Sequence, residues 1–216
     1  MRITKFGHSC VRLEAGGSTV VLDPGGFTDP EAVDGADAVL VTHEHFDHVE
    51  VERLRRADAD IWTHAGLVEQ LRADAPDLAD RLHVVETGSP SGAELTVAGF
   101  TVRPIGEWHA VIHDEIPRVH NVGYVLTADG TSAYHPGDAL TEADVPVDVL
   151  LLPATAPWSK VAETIDFARA VGAPLTVPIH EAIFSEPGRG VIDTHLQRFL
   201  GERELDYRRV EVGQDV

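Results

Sequence analysis

The chain of 216 residues has the length of one domain with a substantial core. Its 43% hydrophobic and 25% charged residues exclude a disordered chain. With 17 Lys and Arg against 36 Asp and Glu, the formal charge of −19 argues against nucleic acid or an anionic membrane as partner, because both are polyanions.

The predicted elements begin with short apolar-rich strands at residues 2–6 and 11–14, and Gly16-Gly17 turns the second into a strand at 19–22. Residues 38–42 (AVLVT) form a continuous apolar run suited to a strand buried on both faces. A helix follows at 49–57, with Val51 and Leu54 inward, then a brief strand at 61–63 and a second helix at 65–73. The middle is purely β: strands 95–97 and 100–102 flank Ala98-Gly99, and strands 122–126 and 131–134 flank Asp129-Gly130. Late in the chain come a buried strand at 148–152 and a helix capped by Ser159, running to Val171 and ended by Gly172. A strand at 175–178, a helix at 191–200 and a last strand at 207–212 complete the series. The expected architecture is α/β, two sheets with helices outside both, in a single domain over 1–216.

No basic-then-apolar leader opens the chain, since Arg2, Lys5 and His8 interrupt its first residues. No apolar run approaches the ~20 residues of a membrane-spanning helix. The single Cys10 rules out an intrachain disulfide and suits a reducing compartment. The expectation is a cytoplasmic protein with no membrane and no nucleic-acid partner, of unassigned oligomeric state.

Twelve histidines point to metal or acid–base chemistry. The segment His43-Glu44-His45-Phe46-Asp47-His48 sits where the strand 38–42 ends. His43 and His45, two apart, project to the same side only in extended backbone. Asp47 and His48 fall at the turn into the next helix, so one loop offers two imidazoles to one cation and a carboxylate plus an imidazole to another. Such a loop cannot complete two coordination spheres, so further ligands are expected after other strands. His109, Asp138 and His180 each lie just past a predicted strand end. Taken singly, His109 could be a core histidine, Asp138 a turn former and His180 a strand cap.

His43-x-His45-x-Asp47-His48, the lone His109, Gly137-Asp138 and His180 together resemble the metallo-β-lactamase superfamily of metal-dependent hydrolases. Gly7-His8-Ser9-Cys10, Val21-Leu22-Asp23-Pro24 and Pro178-Ile179-His180 are most similar to its branch of ascorbate-phosphate lactonase-like proteins. The resemblance runs from about Phe6 to His180 and implies a four-layer αββα sandwich with the metals at one edge. It implies one cation held by His43, His45 and His109, a second held by Asp47, His48 and His180, and Asp138 bridging both. Asp23 would orient a ligand histidine from outside. Two divalent ions are expected, Zn²⁺ by default and Mn²⁺ or Fe as alternatives, since no thiolate enforces softness.

Four cationic charges against Asp47 and Asp138 leave the cavity net positive despite the chain's −19, which surface screening confines. An anionic or carbonyl-bearing small molecule is therefore admissible. The expected reaction is hydrolysis of a lactone, another ester or a phosphodiester by hydroxide generated on the metals near neutral pH. Asp47 and Asp138 are the catalytic carboxylates, Asp47 orienting the nucleophile and passing its proton to the leaving group. An iron-dependent redox protein and a non-catalytic metal-binding relative are the alternatives. Against the first stand the missing flavin domain and the hydrolase-type Asp47–His48 pair. The segment 109–120 reads either as a lid, with His113, Arg118 or His120 touching substrate, or as a solvated loop. Trp158 reads as a pocket wall or a packed aromatic. His8 reaches toward the pocket edge, His135 supports from behind, and His64, His83 and His195 have no evident link to the site.

Overall fold

Apolar residues alternate along the strands, and that alternation decides the layering. The computed structural model describes residues 1–216. The first sheet holds β1 (Arg2–Lys5), β2 (Val11–Ala15), β3 (Ser18–Leu22), β4 (Ala38–Leu40), β5 (Asp60–Thr63) and β6 (Leu82–Val84), in that spatial order. Its first three strands are antiparallel, and from β3 onward neighbours run parallel. The second sheet begins with β7 (Gly88–Ser91), β8 (Leu95–Val97), β9 (Phe100–Gly106) and β10 (Gly123–Ala128). It continues with β11 (Thr131–His135), β12 (Val149–Pro153), β13 (Leu175–Ile179) and β14 (Asp206–Tyr207). Here β9, β10 and β11 are antiparallel, while β11 to β14 run parallel.

Val20, Leu22 and Leu40 face one way and pack with Val102, Tyr124, Leu126 and Leu151 of the second sheet. Val21, Val39 and Ile61 face the other way, against helices α1 (Val51–Arg56) and α2 (Ala65–Asp74) through Leu54, Leu67 and Leu71. On the far side Val125, Leu150 and Leu152 pack against α3 (Val161–Val171) and α4 (Glu186–Gly201) through Ile165, Phe167, Leu196 and Leu200. The order is helix, sheet, sheet, helix, as expected, because period-two alternation in a strand buried on both faces feeds two cores at once.

Several predicted boundaries shift. The α3 cap is Lys160, whose backbone N–H is met by Glu163, while the Ser159 hydroxyl bonds the Ala156 carbonyl instead. Helix α4 starts at Glu186, five residues before the expected 191, because the Ser185 hydroxyl accepts from Gly188 N–H and Pro187 needs no donor in the first turn. The expected last strand at 207–212 is only Asp206–Tyr207. Beyond it residues 213–216 run back along β1, with Val216 N–H bonded to the Ile3 carbonyl. Strands β6 and β7 were not expected: β6 is only three residues long, and β7 (GSPS) has no apolar pattern at all.

The parallel strands β3, β4, β11, β12 and β13 all end at one edge. Ligand-type side chains gather outside those carboxyl ends, as they do in open α/β sheets generally. The two sheets are stitched there: Tyr124 OH donates to the Val41 carbonyl at 2.9 Å, Val122 N–H to the Thr42 carbonyl at 3.0 Å, and His180 N–H to the His8 carbonyl at 3.1 Å.

Candidate metal centre

All seven sequence-predicted ligand positions converge at this edge. His43, His45, His109 and Asp138 present donor atoms within 4.8 Å of one another, and so do Asp47, His48, His180 and His8. Asp138 joins the two groups. Its Oδ1 lies 3.0 Å from His48 Nε2, and its Oδ2 lies 3.0 Å from His180 Nε2 and 3.4 Å from His109 Nε2.

The turn that delivers Asp138 is built around Gly137, whose φ of +62° is left-handed and whose missing Cβ would meet Asn121 Oδ1 at 2.3 Å. Only glycine serves there. Asn121 then fastens the turn, accepting from Asp138 N–H at 2.9 Å and donating to the Pro136 carbonyl at 2.9 Å. Its role carries no motif of its own in the sequence.

The outer nitrogens of the imidazoles are tied to acceptors. His48 Nδ1 donates to Asp23 Oδ2 (2.7 Å), His109 Nδ1 to the Ala110 carbonyl (2.6 Å) and His180 Nδ1 to the Thr155 carbonyl (3.0 Å). His43 Nδ1 donates to Thr42 Oγ1 at 2.9 Å, and that hydroxyl donates on to Asp23 Oδ2 at 2.7 Å. With Nδ1 committed, each Nε2 turns inward. Asp23 thus takes the orienting place expected of it, also accepting from Thr42 N–H. His135 lies behind it, donating through Nε2 to the Ser9 carbonyl at 2.8 Å.

The inward atoms are unsatisfied. Nε2 of His48, His109 and His180 and Oδ1 of Asp138 are buried and form no hydrogen bond of proper geometry. Orphaned buried polar atoms are rare and costly. Four of them converging, all imidazole nitrogen or carboxylate oxygen, match the donor set of a borderline divalent cation such as zinc. The residues present therefore fit a metal.

His8 is different. Its Nδ1 accepts from Ala182 N–H at 3.1 Å, so the ring proton sits on Nε2, which donates to Asp47 Oδ2 at 3.0 Å. A nitrogen carrying a proton is no ligand. His8 packs 4.2 Å from the His180 ring and braces Asp47 rather than joining a coordination sphere. Asp47, in turn, is the more open carboxylate: its side chain is 23% exposed, against 3% for Asp138.

Charges reinforce the picture. Burial disfavours the His48 and His180 imidazolium ions, yet Asp138 acts on both, with Asp23 on His48 and Asp47 on His180, and outweighs it. The His48 pKa is held well above the ordinary value and that of His180 is raised to about 9. Burial works against the Asp47 and Asp138 carboxylates too, but the surrounding histidines hold both pKa values below the usual range. Burial, helped by the neighbouring histidines, lowers the pKa of His43 and of His45.

Around the mouth, Trp158 donates its indole N–H to Asp138 Oδ2 at 2.9 Å and lines a cavity, so it is a pocket wall. His120 stacks on Trp108 at 4.2 Å, and Arg118 donates through Nε to the His109 carbonyl. Trp108 and Arg118 line the cavity, and His120 backs Trp108 from outside its lining. His64 has a link to the site that its position in sequence hides: it caps α2 and approaches Glu44 of the motif loop at 3.6 Å. His83 and His195 stack on Trp62 and Phe199, away from the centre.

A family model described as a β-lactamase superfamily domain matches residues 2–180. Protein Rv0786c of Mycobacterium tuberculosis is 41% identical over 88% of this chain and 89% of its own. A UPF0173 metal-dependent hydrolase of Methanoculleus marisnigri is 32% identical over 85% of this chain and 82% of its own. Igni18, a metallo hydrolase from Ignicoccus hospitalis, matches with a TM-score of 0.75 at 19% identity, over 100% of this chain and 97% of that one. CmlA, a diiron β-hydroxylase from Streptomyces venezuelae, matches with a TM-score of 0.77 at 14% identity, over 100% of this chain and 53% of its own. At such identities the two structures bear on the fold alone.

Proposed function

The chain belongs to the β-lactamase superfamily, and from that premise we propose a dinuclear metal-dependent hydrolase acting on a small-molecule lactone, other ester or phosphodiester. The observation that carries the reading is the convergence of unsatisfied, buried imidazole nitrogens and carboxylate oxygen at one sheet edge.

His43, His45 and His109 would hold one divalent ion, Asp47, His48 and His180 the other, and Asp138 would lie between them. Two such ions supply Lewis acidity, acidifying a water molecule and polarising the scissile carbonyl or phosphoryl group. Zinc suits the donor set best. The chain's own contribution is orientation. Asp47 is the carboxylate a water can reach, and, kept ionised by the surrounding histidines, it orients that water by accepting its hydrogen bond. The His8 N–H bonds Asp47 Oδ2, which also lies 3.5 Å from His180 Nε2, and so fixes the orientation of the carboxylate. Trp158 holds Asp138 in the same way from the opposite side.

The scarcity of basic residues on the approach disfavours nucleic acid, and no helix of the chain is long and apolar enough to cross a membrane. Metal analysis together with turnover across lactones, thioesters and phosphodiesters tests the proposal. Two ions per chain, no visible absorbance and hydrolysis of at least one ester class are expected. His45→Ala and Asp138→Ala should lose metal and activity together. Full metal content with full turnover in either variant, or iron with oxygen-dependent turnover, overturns it.

A further inference from the structure

We propose that the cavity beside Asp138 is a recognition site for an oxyanion carried on an apolar or aromatic body, the anion being held by Arg118. The cavity measures about 530 Å³, within the range of small-molecule sites. It adjoins the metal centre through Ala139 and Trp158, which follow Asp138 in sequence and bond to it, respectively.

Its walls are of two kinds. Trp108, Trp158, Val111 and Ile112 supply flat and aliphatic surface, and the last two are 55% and 43% exposed although apolar. Side chains of this type left open to water beside a polar centre are suited to covering a ligand. The Trp108 ring is kept in place by His120, stacked against it at an interplanar angle of 22°.

The cationic groups are Arg118 and Lys160. Lys160 pairs with Glu163 on the same wall at 3.0 Å, so together they bring no net charge. Arg118 has no carboxylate partner, although 36 acidic residues crowd this chain. Its Nε is committed to the His109 carbonyl and its guanidinium lies 5.9 Å from the Trp108 ring centroid, which leaves both terminal nitrogens without a partner in the protein. The guanidinium is therefore tethered at Nε beside the ring, with the four N–H donors of its two terminal nitrogens unused. That fork matches a carboxylate or a phosphate, and pinning it beforehand lowers the entropy lost on binding. Arg118 acts here as a specificity-determining residue, not a metal ligand.

The inference takes its location from the hydrolase reading above, but its test reads binding and not turnover. Benzoate, phenylphosphonate and the neutral isostere benzamide are titrated calorimetrically into metal-loaded protein and into Arg118→Gln and Arg118→Lys. Hydrogen bonds to a charged group are worth about 1.5–3 kcal/mol, or roughly tenfold and more in affinity. At least one of the two acids should therefore bind about tenfold tighter than benzamide, and the better one identifies carboxylate or phosphate as the natural group. Arg118→Gln should erase that preference while leaving benzamide affinity and metal content unchanged, and Arg118→Lys should retain part of it. Equal binding of acid and amide by the wild type overturns the proposal. So does a preference that survives Arg118→Gln, because the anion would then sit on the metals. If the Arg118-dependent preference holds while no ester is hydrolysed, the hydrolase reading falls and the recognition site stands. If esters turn over while the preference is absent, the reverse applies.

Discussion

The direction of each hydrogen bond around the imidazoles assigns a role that distance alone leaves open. His8 sits as close to Asp47 and His180 as a ligand would, yet the Ala182 N–H forces its proton onto Nε2. Glutamine at this position keeps a donor near Nε2 and loses the acceptor near Nδ1, while asparagine does the opposite. His8→Gln should therefore keep measurable kcat with both metals bound, whereas His8→Asn should lose about 10–100-fold in kcat or in affinity for the second ion. Metal titration with steady-state kinetics decides, and equal behaviour of the two variants counts against a bracing role. The seven side chains that converge at the sheet edge were legible as candidates because imidazoles and carboxylates just past strand ends are uncommon in combination. The role of His8 was not, because it depends on a left-handed backbone (φ +45°) following Gly7, and on an N–H from residue 182. The same holds for Asn121 and for the contact of His64 with Glu44, both of which exist only after distant segments meet.

Strand ends and the turns after them set how well the donors are held. Gly137→Ala places a methyl group where Asn121 Oδ1 and Thr42 already stand, in a backbone region that costs a non-glycine residue about 1 kcal/mol or more. Clash and strain together should lower stability by roughly 2–4 kcal/mol and displace Asp138. Thermal unfolding and metal stoichiometry should fall together; a variant that loses stability while binding both ions normally would detach Asp138 from the turn. Elements with strong patterns were legible, the apolar runs of β4 and β12 most of all. The sequence pattern shortens helix α4 because Gly188 and Gly190 sit in its first turns, where Ser185 and Pro187 start the helix regardless. Ser159 was the obvious cap by residue type, but Lys160 and Glu163 close the α3 terminus through their own hydrogen bond.

At the level of the whole molecule, charge buried behind the metal centre links its stability to its function. Glu181, next to His180, pairs closely with Lys5 and Arg209, and Lys5 also donates to the Pro178 and Val210 carbonyls. Lys5 is fully buried. Glu181→Gln should cost about 3–5 kcal/mol, since it strands a buried ammonium ion without a counter-charge. Denaturant unfolding would measure it, and a loss below 1 kcal/mol would mean that Lys5 finds another acceptor. The pH response should depend on metal. His180 titrates near 6.5 in an unfolded chain but at about 9 in the folded, metal-free protein. That group therefore stabilises metal-free protein fully below about pH 6.5, and the contribution is lost as pH rises through 9. Metal would displace this proton, and that of His48 as well, so affinity should climb by at least about tenfold per pH unit over this window. Unfolding temperatures of chelated and loaded protein should diverge accordingly, and parallel slopes would contradict it.

The three hairpin tips at Gly16-Gly17, Ala98-Gly99 and Asp129-Gly130 lie at the strand ends remote from the candidate metal centre, and the four glycines among them have open space where a Cβ would be added. All four have positive φ, so the glycines themselves must stay, and an attachment belongs in a lengthened turn beside them. A dye, a surface-coupling handle or a grafted loop placed there would leave every imidazole where it is, so the scaffold can be tethered or lengthened from behind without touching its chemistry.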